Sequence, residues 1–157
     1  MTTATDLPDV GALLAGILAR VPETERPLLI ALAERLAAER YRGWAAETPP
    51  HRARLLACAD REEEIARRVE ALHPGAAVIQ QAILSRNPDL QDVNRSVFAN
   101  RPLAQQWTIQ AQGERLGAAT WRALAENAGP AVRETLLGCA GLEEENADCL
   151  ESLLRGA

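Results

Sequence analysis

Between Leu55 and Leu72 the positions Leu55, Cys58, Glu62, Ile65, Val69 and Leu72 follow one another at steps of three and four residues. That spacing places all six side chains on one face of a helix. Five of them suit a core; Glu62 does not. The stripe Leu136, Cys139, Glu143, Asn146, Leu150, Leu153 repeats the pattern, with a glutamate in the same place. Two more stripes share the feature: Ile30, Glu34, Ala37, Tyr41, Trp44, and Leu103, Trp107, Gln110, Glu114, Gly117, Trp121, Leu124. The periodicity predicts four long helices, each with one glutamate in the middle of its apolar face.

The breaks between stripes order these helices. Residues 1–5 read as a loose tail. Asp6 offers a cap for a short accessory helix over 6–21, with Pro8 in its first turn. Its apolar face suits either a lid on the bundle or an oligomer contact. Thr24 and Pro27 start the next helix, and Thr48-Pro49-Pro50 ends it. So short a break joins two antiparallel helices into a hairpin over 24–72. The pattern weakens over 73–101, which reads as a crossover with one helical run, AAVIQQAILSR, and a polar remainder. A second hairpin occupies 102–155, broken at Ala128-Gly129-Pro130. The long crossover is expected to let it start from the same end of the bundle as the first.

The hairpins read as copies. ERLAAERYR from Glu34 aligns with ERLGAATWR from Glu114 at an offset of 80. LLACADREEEIA from Leu55 aligns with LLGCAGLEEENA from Leu136 at an offset of 81. The expected fold is all-α: a four-helix bundle of two duplicated αα-hairpins, a long crossover and a short N-terminal helix, in one domain over 1–157.

Composition narrows the function classes. Aromatic residues make up 3% of the chain against 47% hydrophobic, so the core is mainly Leu, Ala, Val and Ile. Net charge is -5 and the basic residues form no run, which argues against a nucleic-acid partner. Three cysteines without staple spacing suggest a reducing compartment. The apolar run GALLAGILA is too short to span a membrane, and the acidic residues before it do not suit a signal peptide. A cytoplasmic protein without a membrane partner is the expectation.

Glu34, Glu62, Glu114 and Glu143 are the candidate site. No stripe contains Lys or Arg. Burying an ionised carboxylate without compensation is very costly, and even a neutral one costs a few kcal/mol when unbonded. Bound hard or borderline cations are one compensation; shared protons and hydrogen bonds are the other. Cys58 and Cys139 face the same way as the glutamates and read as small core residues rather than soft ligands. Cys149 lies off the stripe, without a role. Tyr41 and Trp121 read as core, although the Tyr41 hydroxyl could reach a carboxylate and Gln110 could bond Glu114.

These residues resemble the ferritin-like superfamily, rubrerythrin-type hairpins in particular. In that family one helix of each hairpin carries a Glu and the other a Glu-x-x-His. The family spacing from a glutamate to an aromatic is met by Glu34 with Tyr41 and Glu114 with Trp121. ADREEEIA and AGLEEENA resemble the family's ligand runs, which puts Glu62 and Glu143 on ligand positions. Both histidine positions differ: Ile65 stands at one and Asn146 at the other. Isoleucine cannot bind metal, and asparagine is at best a weak oxygen ligand. The resemblance implies either of two functions. One is a degenerate, non-catalytic scaffold or oligomeric module. The other is a carboxylate-only iron or manganese protein with oxidase or peroxide-scavenging activity. Iron, manganese and no metal at all stay open as cofactors, whether the chain is an enzyme stays open too, and a homo-oligomer is expected.

Overall fold

The computed structural model describes residues 6–156, so the tail expected over 1–5 lies outside the described residues. Among the described residues are seven α-helices and no strand. They are α1 (Val10–Leu18), α2 (Arg26–Glu47), α3 (Arg52–Ala71), α4 (Ala76–Arg86), α5 (Leu90–Ser96), α6 (Leu103–Glu126) and α7 (Pro130–Leu154). The all-α architecture, the two hairpins α2–α3 and α6–α7, and the short N-terminal helix are as the periodicity predicts.

Some boundaries differ, for local reasons. Asp9, not Asp6, caps α1, its carboxylate accepting the Ala12 N–H at 3.0 Å. Pro8 therefore precedes the helix. Thr24 lies within a 3₁₀ turn, Glu23–Glu25, that leads into α2, so it is not the cap. α7 begins at Pro130, a turn and a half before its stripe, because a proline in the first turn forgoes no helical hydrogen bond. α5 forms where only a polar piece is expected. Leu90 alone is buried on it, so it has no stripe to read.

The hairpins meet mainly through α3 and α7, which run antiparallel. Arg54 reaches Ser152 at one end, Asn146 reaches Cys58 nearer the middle, and Arg68 passes beside Gly138 further along. α2 and α6 are antiparallel as well: Trp44 bonds Gln106, and Tyr41 bonds Glu114. The second hairpin thus starts from the opposite end of the bundle, which corrects the expectation of a common end. The crossover is the cause. α4 packs beside the start of α2, where Gln80 bonds the Leu28 carbonyl. Phe98, just beyond α5, packs against Trp44 near the end of α2. The connection therefore carries the chain along the length of the bundle.

Two apolar clusters, each drawing on all four long helices, fill the bundle. One contains Ile30, Ile65, Val69, Trp121 and Leu136. The other contains Tyr41, Trp44, Leu55, Trp107 and Leu150. Fully burying one such aliphatic side chain contributes about 1.5–3 kcal/mol. The stripe residues are buried except near helix ends. Leu72 and Leu103 are half-buried, and Leu124 is 37% exposed while Ala125 takes the core position. A strict three-four repeat drifts around a straight helix, and by the end of α6 the inward face has moved by one residue.

Candidate metal centre

The four glutamates occupy the layer between the apolar clusters, one from each long helix. Relative exposure is 0% for Glu62, 1% for Glu114 and Glu143, and 8% for Glu34. Ligand-type oxygens of Glu34, Glu62 and Glu143 lie within 4.8 Å of one another. Glu114 stands outside this tight group, yet its charge acts on all three. The predicted convergence holds, with Glu114 joined to the other three through its contacts with Glu62 and Glu143.

Three of the carboxylates have one oxygen held by a donor. Tyr41 Oη donates to Glu114 Oε1 at 2.7 Å, and Gln110 Nε2 donates to the same oxygen at 2.9 Å. Trp121 Nε1 donates to Glu143 Oε1 at 2.9 Å. Asn146 Nδ2 donates to Glu62 Oε1 at 3.1 Å. No donor from outside the cluster reaches the other oxygens of Glu62 and Glu114; there the carboxylates meet one another, Glu62 with Glu34 and Glu114, and Glu114 with Glu143. Leaving a buried acceptor unmatched costs about 1–3 kcal/mol. Carboxylates anchored by one oxygen while the other stays available are typical of supported metal ligands.

Burial sets the electrostatics. It pushes Glu34 up to about 7, and the charge of Glu114 adds to the effect against opposing hydrogen bonds from Glu62 and Glu143. Burial also raises Glu62 and Glu143 well above the ordinary carboxylate range, and the neighbouring glutamates push the same way. Loading protons or a cation relieves the same repulsion.

Sequence periodicity misses Arg40, which lies off the α2 stripe. Its guanidinium bonds Gln110 Oε1 and Asn94 Oδ1 and sits 3.7 Å from the Phe98 ring centroid. Gln110 in turn holds Glu114, so a cation is wired to the cluster through one amide. Burial lowers Arg40 to about 10, while the charges of Glu62, Glu114 and Glu34 oppose that. Asn94 and Phe98 come from the crossover, whose packing has no signature in the stripes.

A cavity of about 150 Å³ lies between α2 and α6 and reaches Glu34, Glu114 and Glu143. Val10, Leu13, Leu14 and Ile17 of α1 line it, so the accessory helix takes the lid position. Gly117 leaves room for the Glu143 carboxylate: a Cβ there would lie 2.5 Å from Glu143 Oε1.

Neither family histidine position offers a free ligand. Ile65 packs in an apolar cluster. Asn146 spends its amide on Glu62 and the Cys58 carbonyl, and its oxygen on Arg61. The donor set is oxygen-only, and two of its buried oxygens meet no donor from outside the cluster; a hard cation fits it. Among the described residues no helix is long and apolar enough to cross a membrane. Searches against protein-family models, curated proteins and solved structures find no match to the chain. The likeness therefore stands on arrangement alone: an all-helical bundle whose buried, glutamate-only cluster resembles a ferritin-like metal site.

Proposed function

We propose that this is a degenerate ferritin-like protein whose centre holds manganese(II) or iron(II) for structure rather than for oxygen chemistry, as a scaffold or oligomeric module. The oxygens of Glu62 and Glu114 that no donor from outside the cluster reaches, buried among four carboxylates, carry this reading. Glu34, Glu62, Glu114 and Glu143 hold the metal. Bound there, the metal supplies positive charge and Lewis acidity, and iron adds a one-electron couple. The chain does the rest: Tyr41, Gln110, Trp121 and Asn146 orient the carboxylates, and Arg40 offsets excess negative charge. Ile65 and the committed amide of Asn146 favour the non-catalytic role, since neither supplies a neutral nitrogen ligand.

The cavity reaching Glu34, Glu114 and Glu143 favours a second reading, a carboxylate-only oxidase or peroxide scavenger. Metal analysis of protein purified without chelator, followed by anaerobic titration with each metal, tests the first. A metal present at 100 times its dissociation constant stabilises the fold by about 2.7 kcal/mol. The unfolding temperature should rise in the wild type and much less in the Glu62→Gln, Glu114→Gln double variant. Indifference of the wild type to metal and to chelator would end both readings. Metal-dependent peroxide turnover would select the second.

A further inference from the structure

Away from the glutamate layer, Cys58 of α3 and Cys149 of α7 pack together at the interface of the two hairpins, where the Arg54–Ser152, Arg61–Asn146 and Asn146–Cys58 contacts set them opposite each other. Cys58 is fully buried, whereas Cys149 is half-buried. Arg61 Nη2 lies 3.6 Å from Cys58 Sγ, and the charges of Arg54 and Arg61 act on Cys149. Duplication supplies an internal contrast. Cys139 occupies the position equivalent to Cys58 in the second hairpin, but the position equivalent to Cys149 is Arg68. One equivalent location therefore holds two thiols and the other a single thiol near an arginine.

We propose that Cys149 and Cys58 form a peroxide-reactive dithiol site, with Cys149 as the nucleophile and Cys58 as the resolving thiol. The Cys149 thiolate attacks one oxygen of a hydroperoxide. The S–O bond forms, the O–O bond breaks, and the leaving oxygen takes up a proton. Sulfur is oxidised to the sulfenic acid as the peroxide is reduced. Cys58 then attacks that sulfur. The S–S bond forms, the S–O bond breaks, and hydroxide leaves as water with the Cys58 proton. Two thiols and one peroxide become a disulfide, an alcohol or water, and a further water.

Electrostatics supports the assignment of roles. Cys149 is the member of the pair that solvent reaches, and its Cys58 neighbour with the charges of Arg54 and Arg61 lowers its thiol below the ordinary range, against the effect of burial. Cys139 is pushed up to about 11 by burial. A thiolate is the reactive form. A disulfide needs its sulfurs about 2 Å apart, and the two thiols lie on neighbouring turns of packed antiparallel helices. The consequence is also local. Asn146 bonds both the Cys58 carbonyl and Glu62, so a crosslink here would clamp the hairpins together beside the carboxylate cluster.

The site does not depend on metal, so the test uses the full-length chain in chelator with equimolar hydrogen peroxide at neutral pH. Remaining thiols are alkylated and the peptides mapped by mass. The expected result is a linked Cys58–Cys149 peptide with Cys139 still alkylated. Before oxidation, Cys149 should alkylate about tenfold faster than Cys139. In Cys58→Ala, a sulfenic-acid trap should label Cys149; in Cys149→Ser, Cys58 should stay reduced. The wild-type map decides even if a variant fails to fold. Oxidation of Cys139 at an equal rate, oxidised Cys149 with Cys58 still free, a Cys149 link between two chains, or no reaction would each overturn the proposal.

Discussion

In the first hairpin Arg35 pairs with Glu70, and Arg42 with Glu63; in the second Arg115 pairs with Glu151, and Arg122 with Glu144. These are equivalent residues at the offsets of 80 and 81 read from the sequence. The outward ion pairs of the two halves thus repeat, as do the core positions Ala38 with Ala118 and Ala59 with Ala140. The central glutamates repeat too, but the residues around them do not. Ile65 faces Asn146 as its equivalent, Ala37 faces Gly117, Ile30 faces Gln110, and Arg40 faces Thr120. A duplicated frame has one midpoint, so only one set of carboxylate partners is needed there. Each half supplies a different share: Tyr41 and Arg40 from the first, Gln110, Trp121 and Asn146 from the second.

The largest expected effect concerns the glutamates that do repeat. In chelator, Glu34 titrates near 7 in the folded protein, facing Glu62, Glu114, Glu143 and Arg40. Its unfolded value is about 4.3. Between those values the native state holds a proton that the unfolded chain has released. Stability is therefore greatest below the lower value and falls as pH rises through the window. Glu34 alone accounts for about 4 kcal/mol, and the raised Glu62 and Glu143 act in the same direction. Bound metal reverses the slope, because acid protonates its ligands. Urea midpoints across mildly acidic to neutral pH, with chelator and with metal, measure both slopes. Flat profiles in both conditions would contradict a buried, coupled cluster.

The next effect separates the halves at a single equivalent position. Asn146→Leu strips the donor from Glu62 and from the Cys58 carbonyl, both buried, and should cost about 2–3 kcal/mol. Ile65→Leu exchanges one aliphatic group for another in an apolar cluster and should cost less than about 1.5 kcal/mol. Equal losses in denaturant unfolding would mean that Asn146 is ordinary filling.

Gly117 and Ala37 give the smallest and sharpest contrast. Gly117→Ala gains about 1 kcal/mol of helix propensity but pushes its Cβ into the Glu143 carboxylate. Apo stability should change by less than about 1 kcal/mol, while stabilisation by metal shrinks because a ligand is displaced. Ala37→Gly should lose about 1 kcal/mol and leave the metal response intact. Thermal unfolding of both variants with and without manganese compares them; identical metal responses would detach Gly117 from the site.

Residue order along the chain determined the helices, their pairing and the four inward glutamates. Helical periodicity is a local property, and each stripe contains its own evidence: a carboxylate among Leu, Ile and Val has to meet something. Duplication followed from the same residues, compared with themselves. Tertiary structure alone decided what each glutamate meets. The direction of the second hairpin depended on how α4 and α5 lie along the bundle, which no stripe encodes. Arg40 reached the cluster through Gln110 because crossover residues Asn94 and Phe98 hold its guanidinium. Asn146, at a position where the resemblance expects a histidine, became a crosslink between hairpins because antiparallel packing set it opposite Cys58 and Glu62. Cys149, off every stripe, gained a partner for the same reason. Which face a residue occupies follows from the 3.6-residue turn; which neighbour waits on that face follows from how the helices pack.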